Sequence, residues 1–123
     1  MVSSPAFAAN PGHTITVSPS EKRLRVTFRG TEVADTVRAL VMKEGSYPPC
    51  FYVPQQDCRM EYFVETAHQT TCPFKGTARY WSLSTKDGTS ENAVWGYDGP
   101  FDQVAVIDRH VAFYPDRVEF REG

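Results

Sequence analysis

The stretch Gly76-Thr-Ala-Arg-Tyr-Trp-Ser-Leu-Ser-Thr-Lys-Asp-Gly-Thr-Ser-Glu-Asn-Ala-Val-Trp-Gly-Tyr97 decides the fold. Aromatic and β-branched residues on both sides of Lys86-Asp87-Gly88 fit two strands, 76–85 and 89–97, joined by turn chemistry. Upstream, Leu24, Val26 and Phe28 alternate with Arg25, Thr27 and Arg29, and Gly30 turns the chain into Glu32-Val33-Ala34-Asp35. That is a second hairpin. Residues 14–17 read as a strand that stops at Pro19. Residues 37–43 fit a short helix or a strand, and a strand is favoured, since two helical turns are marginal alone. Prolines at 48, 49 and 54 impose an extended segment, with one helical turn over 54–57. Strands are expected over 59–64, 111–114 and 118–120. A helix is expected over 100–107, with Asp102 as its N-cap.

Short strands at close spacing with one or two short helices make a mostly β chain, an antiparallel sandwich or open barrel. At 123 residues the chain has the size of one domain. Its expected bounds are 13–123, preceded by a flexible arm over 1–12 that is small, polar and Pro/Gly-containing. Neither a disulfide nor a metal is needed to hold a core of this size.

The net charge of -2 carries no concentrated basic face; Lys22, Arg23 and Arg25 form the one basic cluster. Nucleic acid is therefore not an expected partner. No apolar run has the length of a membrane span, so no membrane partner is expected. The Ala-rich step at 6–9 lacks the basic and apolar regions of a signal peptide. The three cysteines are irregularly spaced, which suggests no disulfide framework. A cytoplasmic location is expected.

Three segments could carry chemistry. The densest is Thr66 to Trp81, with His68, Cys72, Lys75 and Tyr80. In an extended strand His68, Thr70 and Cys72 point to one side. His68 and Cys72 would then lie roughly 13 Å apart, so a thiol and its base need a turn or a second strand to meet. The second is Glu91-Asn-Ala-Val-Trp95-Gly-Tyr97, where alternation puts Glu91, Ala93, Trp95 and Tyr97 on one face, with Trp81 a further wall. The third is Asp57-Cys-Arg59, a structural ion pair or an anion site if a turn joins the two side chains. Cys50, Cys58, His68 and Cys72 contain no paired Cys-x-x-Cys ligands, so no metal is expected. Phosphate-loop, dinucleotide, nucleophile-elbow and zinc-protease motifs are absent, and no cofactor is expected.

Together, several motifs resemble the small bacterial family called domain of unknown function 427. They are Pro11-Gly12-His13, Gly30 with Ala34-Asp35, and Tyr52-x-Pro54-x-x-Asp57-x-Arg59-Met60. Next come His68-x-Thr70-x-Cys72-Pro73-Phe74-Lys75-Gly76-x-Ala78-x-Tyr80, Glu91-Asn92-x-x-Trp95-x-Tyr97 and Phe113-Tyr114-Pro115-Asp116. The resemblance implies a β-tent, two antiparallel sheets pinned at one end and open at the other. Some relatives on that fold hold zinc on two Cys-x-x-Cys knuckles, which this chain lacks. A nucleotidyltransferase-like label sometimes attached to the family finds no Gly-Ser and paired-Asp motif here.

Ligands of tent folds lie in the cleft between the sheets, which makes His68, Cys72, Lys75, Tyr80, Glu91 and Trp95 the candidate lining. The first expected function is small-molecule binding, with Trp95 and Tyr80 as apolar wall and His68 and Lys75 as polar contacts. A second is an enzyme with Cys72 as nucleophile or redox thiol and His68 as base. A third is a protein-interaction module with no ligand. The sequence leaves the oligomeric state open.

Overall fold

A computed structural model describes residues 4–10 and 12–123, without the side chains of Phe7 and Ala8. Among the described residues, ten strands form two antiparallel sheets. The larger has seven strands in the order β1-β4-β5-β9-β8-β7-β6. These are β1 (Ile15–Pro19), β4 (Leu40–Glu44), β5 (Cys50–Pro54), β6 (Phe63–Cys72), β7 (Gly76–Thr85), β8 (Gly88–Tyr97) and β9 (His110–Phe113). The smaller is β10-β2-β3, built from β2 (Leu24–Phe28), β3 (Thr31–Thr36) and β10 (Glu119–Glu122). The mostly β architecture with two antiparallel sheets, expected of a tent, is present.

The hairpin at 76–97 pairs as its turn residues require, from Thr85↔Gly88 outward to Ala78↔Tyr97. The β2–β3 turn places both Arg29 (φ 48°) and Gly30 (φ 83°) in left-handed space, the geometry that matches strand twist. Alternation in β2 buries Leu24, Val26 and Phe28. These meet Trp81, Leu83, Val94 and Phe113 on the inner face of the large sheet, making the first core. The outer face carries a second core of Met42, Tyr52, Tyr80, Tyr97, Val104 and Ile107.

Within the segment 1–12 expected as a flexible arm, residues 1–3 and 11 lie outside the described residues, and residues 5–9 form a helix (α1, Pro5–Ala9) that Ser4 caps by accepting from the Ala6 N–H. Ser4 is itself buried and donates to the Pro73 carbonyl. Other expectations are corrected. The strand expected at 59–64 begins only at Phe63, because Met60–Tyr62 forms a 3-10 turn. Residues 100–107 are not a regular helix: Asp102–Ile107 is a 3-10 segment broken at Val104 (φ -129°), and Asp102 lies inside it rather than capping it. Anchoring Val104 and Ile107 in the second core outweighs helical regularity over so short a span.

Candidate functional site

Alternation in β7 sends Ala78 and Tyr80 to the outer core and Trp81 to the inner one. In β8, Trp95 and Tyr97 follow Tyr80, their cross-strand neighbours pairing Tyr80↔Trp95 and Ala78↔Tyr97. Tyr52 arrives from β5 on the same face. A hollow of about 240 Å³ opens among Glu44, Tyr52, Lys75, Tyr80, Trp95 and Tyr97, with the Cys50 thiol at its side. The Tyr80 hydroxyl hydrogen-bonds Thr70 (3.0 Å).

The polar end is an ion cluster. Lys75 Nζ donates to Glu44 Oε1 at 2.6 Å, and His13 Nε2 lies 3.0 Å from Glu44 Oε2. Phe74 stacks flat on the His13 ring at 3.8 Å. The turn between β6 and β7 thus supplies Lys75 and Phe74 side by side, and β4 supplies the carboxylate between them and His13.

Burial shapes the acid–base character of the walls. It pushes the Cys50 thiol up to about 11, with a smaller opposing pull from the Lys75 ammonium. Burial also raises Tyr52 and Tyr97 well above the ordinary phenol, so both keep their protons as donors. The Cys58 thiol, in the inner core, is raised to about 12 for the same reason.

Of the six sequence candidates, Lys75, Tyr80 and Trp95 line the hollow. His68 is exposed and presents its ring to Tyr80 at 4.4 Å, edge to face. Cys72 packs into the outer core toward Tyr97, at the Cys72↔Gly76 end of β6. Thr70 lies between them and takes up the Tyr80 hydroxyl. The thiol and the imidazole therefore sit four residues apart on one strand, each turned to a different ring.

Glu91 lies apart from Trp95. Asn92 adopts a left-handed φ of 50°, and the β7–β8 register shifts between Trp81 and Leu83. That bulge breaks the alternation expected to put Glu91, Ala93, Trp95 and Tyr97 on one face. Ala93 joins the inner core, and Glu91 is exposed. Trp81 also faces inward, away from the hollow. The Asp57–Arg59 pair does not form: Asp57 pairs with Arg38 (3.0 Å) and Thr36 (2.7 Å), and Arg59 with Glu32 (3.5 Å). The cause is the 3-10 turn Gln55–Asp57, after which Cys58 bridges to Ala34 and sends the two side chains apart.

Sequence reasoning missed Glu44, and one signal pointed to it. Once 40–44 is a strand, Leu40, Met42 and Glu44 share a face. That Glu44 meets Lys75, 31 residues away, is a matter of sheet order and has no local signature.

The fold and hollow define a class: a two-sheet antiparallel β domain with an aromatic-walled cavity whose polar end is a Lys–Glu pair. The chain belongs to the family described as Domain of unknown function (DUF427), whose model, headed NTP_transf_9, matches residues 16–122. No curated protein matches it. Among the described residues, no three His, Cys, Asp or Glu side chains group as metal ligands. No helix among them is long and apolar enough to cross a membrane.

Proposed function

We propose that the protein is a cytoplasmic small-molecule-binding domain whose ligand occupies the hollow between Trp95 and Tyr80. One observation carries the reading: an ion pair and four rings, drawn from β4, β5, the β6–β7 turn, β7 and β8, surround a single opening. Aromatic walls with a few convergent polar groups are what such sites need. Trp95 is half-exposed there, a large ring available to stack on a guest. Lys75 fixes the guest's orientation, and Tyr80, braced by Thr70, stands beside Trp95 on the neighbouring strand.

The test is a thermal-shift screen of wild type and Trp95→Ala, each compared with its own unliganded midpoint. A ligand at a hundred times its Kd stabilises wild type by about 2.7 kcal/mol. Trp95→Ala is expected to lose most of that shift. An equal shift in both proteins would place the ligand elsewhere.

A further inference from the structure

The hollow adjoins a second cavity. A trough of about 560 Å³ runs past Phe51, Trp95, Phe113, Tyr114 and Phe120, and among the described residues no charged side chain lines it. Tyr47, Pro48, Cys50 and Trp95 line both cavities, so the two meet at these side chains. The trough has a structural cause. β5 pairs with β9 only at Val53↔Val111 and Pro54↔His110, and β9 ends at Phe113. Cys50 and Phe51 run on without a partner on that side, and the seam stays open down to Phe120 of the small sheet, 5.5 Å from Phe51 between ring centroids.

The polar end offers donors, Lys75 and Tyr52, beside the Glu44 carboxylate. Both Glu44 oxygens are engaged, one by Lys75 and one by His13. The Lys75 ammonium has three N–H groups and gives one to Glu44. The Tyr52 hydroxyl, kept protonated by burial, has a proton to give. A guest with an acceptor for Lys75 and Tyr52 and an apolar body for the trough fits both cavities. A polyphosphate fits poorly, since among the described residues Lys75 is the one cation lining either cavity and already shares its charge with Glu44.

We infer that the guest is an amphipathic monocarboxylate, its carboxylate on Lys75 and Tyr52 and its alkyl or aryl body along Trp95, Phe51 and Phe120. This rests on the binding function proposed above and names its ligand class.

Calorimetric titration of wild type with hexanoate, octanoate and decanoate, and with 1-octanol and indole, tests it. Affinity is expected to rise about three- to fourfold per methylene. Octanoate is expected to bind at least about tenfold more tightly than 1-octanol, as a charge-assisted contact requires. Tyr47→Ala, at an exposed rim position of both cavities, is expected to weaken octanoate severalfold without loss of folding. A flat chain-length series, or 1-octanol equal to octanoate, overturns the inference. If indole binds wild type and not Trp95→Ala while no carboxylate binds, the binding function stands and the ligand class falls. If neither indole nor any amphiphile binds, both fall together.

Discussion

Glu44→Gln probes the centre of the ion cluster, because one carboxylate serves two donors. The Glu44 and Lys75 side chains are 17% and 13% exposed, and His13 is 24% exposed. Exposed pairs contribute about 0.2–1 kcal/mol, whereas removing one partner of a fully buried pair costs about 3–5 kcal/mol. At these exposures Glu44→Gln is expected to cost about 2–3 kcal/mol, since it strands the Lys75 ammonium and releases His13. Lys75→Met leaves Glu44 with His13 and should cost about 1–2 kcal/mol. The double variant removes both charges and should cost little more than Glu44→Gln alone, a coupling of about 1–2 kcal/mol. Urea unfolding at pH 7, followed by circular dichroism, reads all four proteins; the slope m should stay constant while the midpoint moves. Additive single costs would show that the 2.6 Å pair contributes nothing through mutual charge, and the account of the polar end would fail.

Gly96→Ala should destabilise by about 1–3 kcal/mol, the usual overpacking cost. A Cβ there would sit 2.7 Å from the His110 carbonyl oxygen and 3.3 Å from the Trp81 ring, so β8 and β9 must part. An unchanged urea midpoint would refute that close approach. Alkaline pH should unfold the protein early: Cys50 and Cys58 keep their protons to about 11 and 12, while the ordinary thiol value is 9.0. Their folded values are raised, so the stability they give is complete below pH 9 and lost as pH climbs toward the folded values. The loss approaches about 2.7 kcal/mol per pH unit when both unfolded thiols have ionised. Replacing both by Ala should flatten the urea midpoint between pH 9 and 10.5, and an unaltered slope would contradict the burial of these thiols.

The parts of the fold that were legible in the sequence are those whose signals are local. Alternation at Leu24, Val26 and Phe28, left-handed Gly30, and Gly88 after Lys86-Asp87 each act within a few residues and locate both hairpins. What failed was alternation carried through an irregularity. Nothing in Glu91-Asn92-Ala93 announces the bulge, although Asn is among the few non-glycine residues that tolerate left-handed φ, and one such residue displaced Glu91 from the site. The strand 63–72 likewise carries a register shift between Glu65 and Gln69, two extra residues that local pattern cannot place. The 3-10 segment 102–107 was misread because tertiary anchoring of Val104 and Ile107 sets its shape.

The block Cys72-Pro73-Phe74-Lys75-Gly76, the most specific part of the family resemblance, shows how sequence motif and site relate here. Cys72 packs into the outer core beside Tyr97. The Pro73 carbonyl accepts the Ser4 hydroxyl and so ties the first residues of α1's cap to the turn. Phe74 clamps His13, Lys75 reaches Glu44, and Gly76 takes a φ of 120° that starts β7 toward Tyr80. The Lys75 carbonyl accepts the Phe101 N–H, pinning the segment that delivers Val104. Phe74 and Lys75 therefore brace the polar end of the hollow, while the rest of the block ties the turn to other parts of the chain. A motif that merely closed a hairpin would need the glycine and little else. Under the proposed binding function, Phe74 and Lys75 make this block a frame for a ligand's head group.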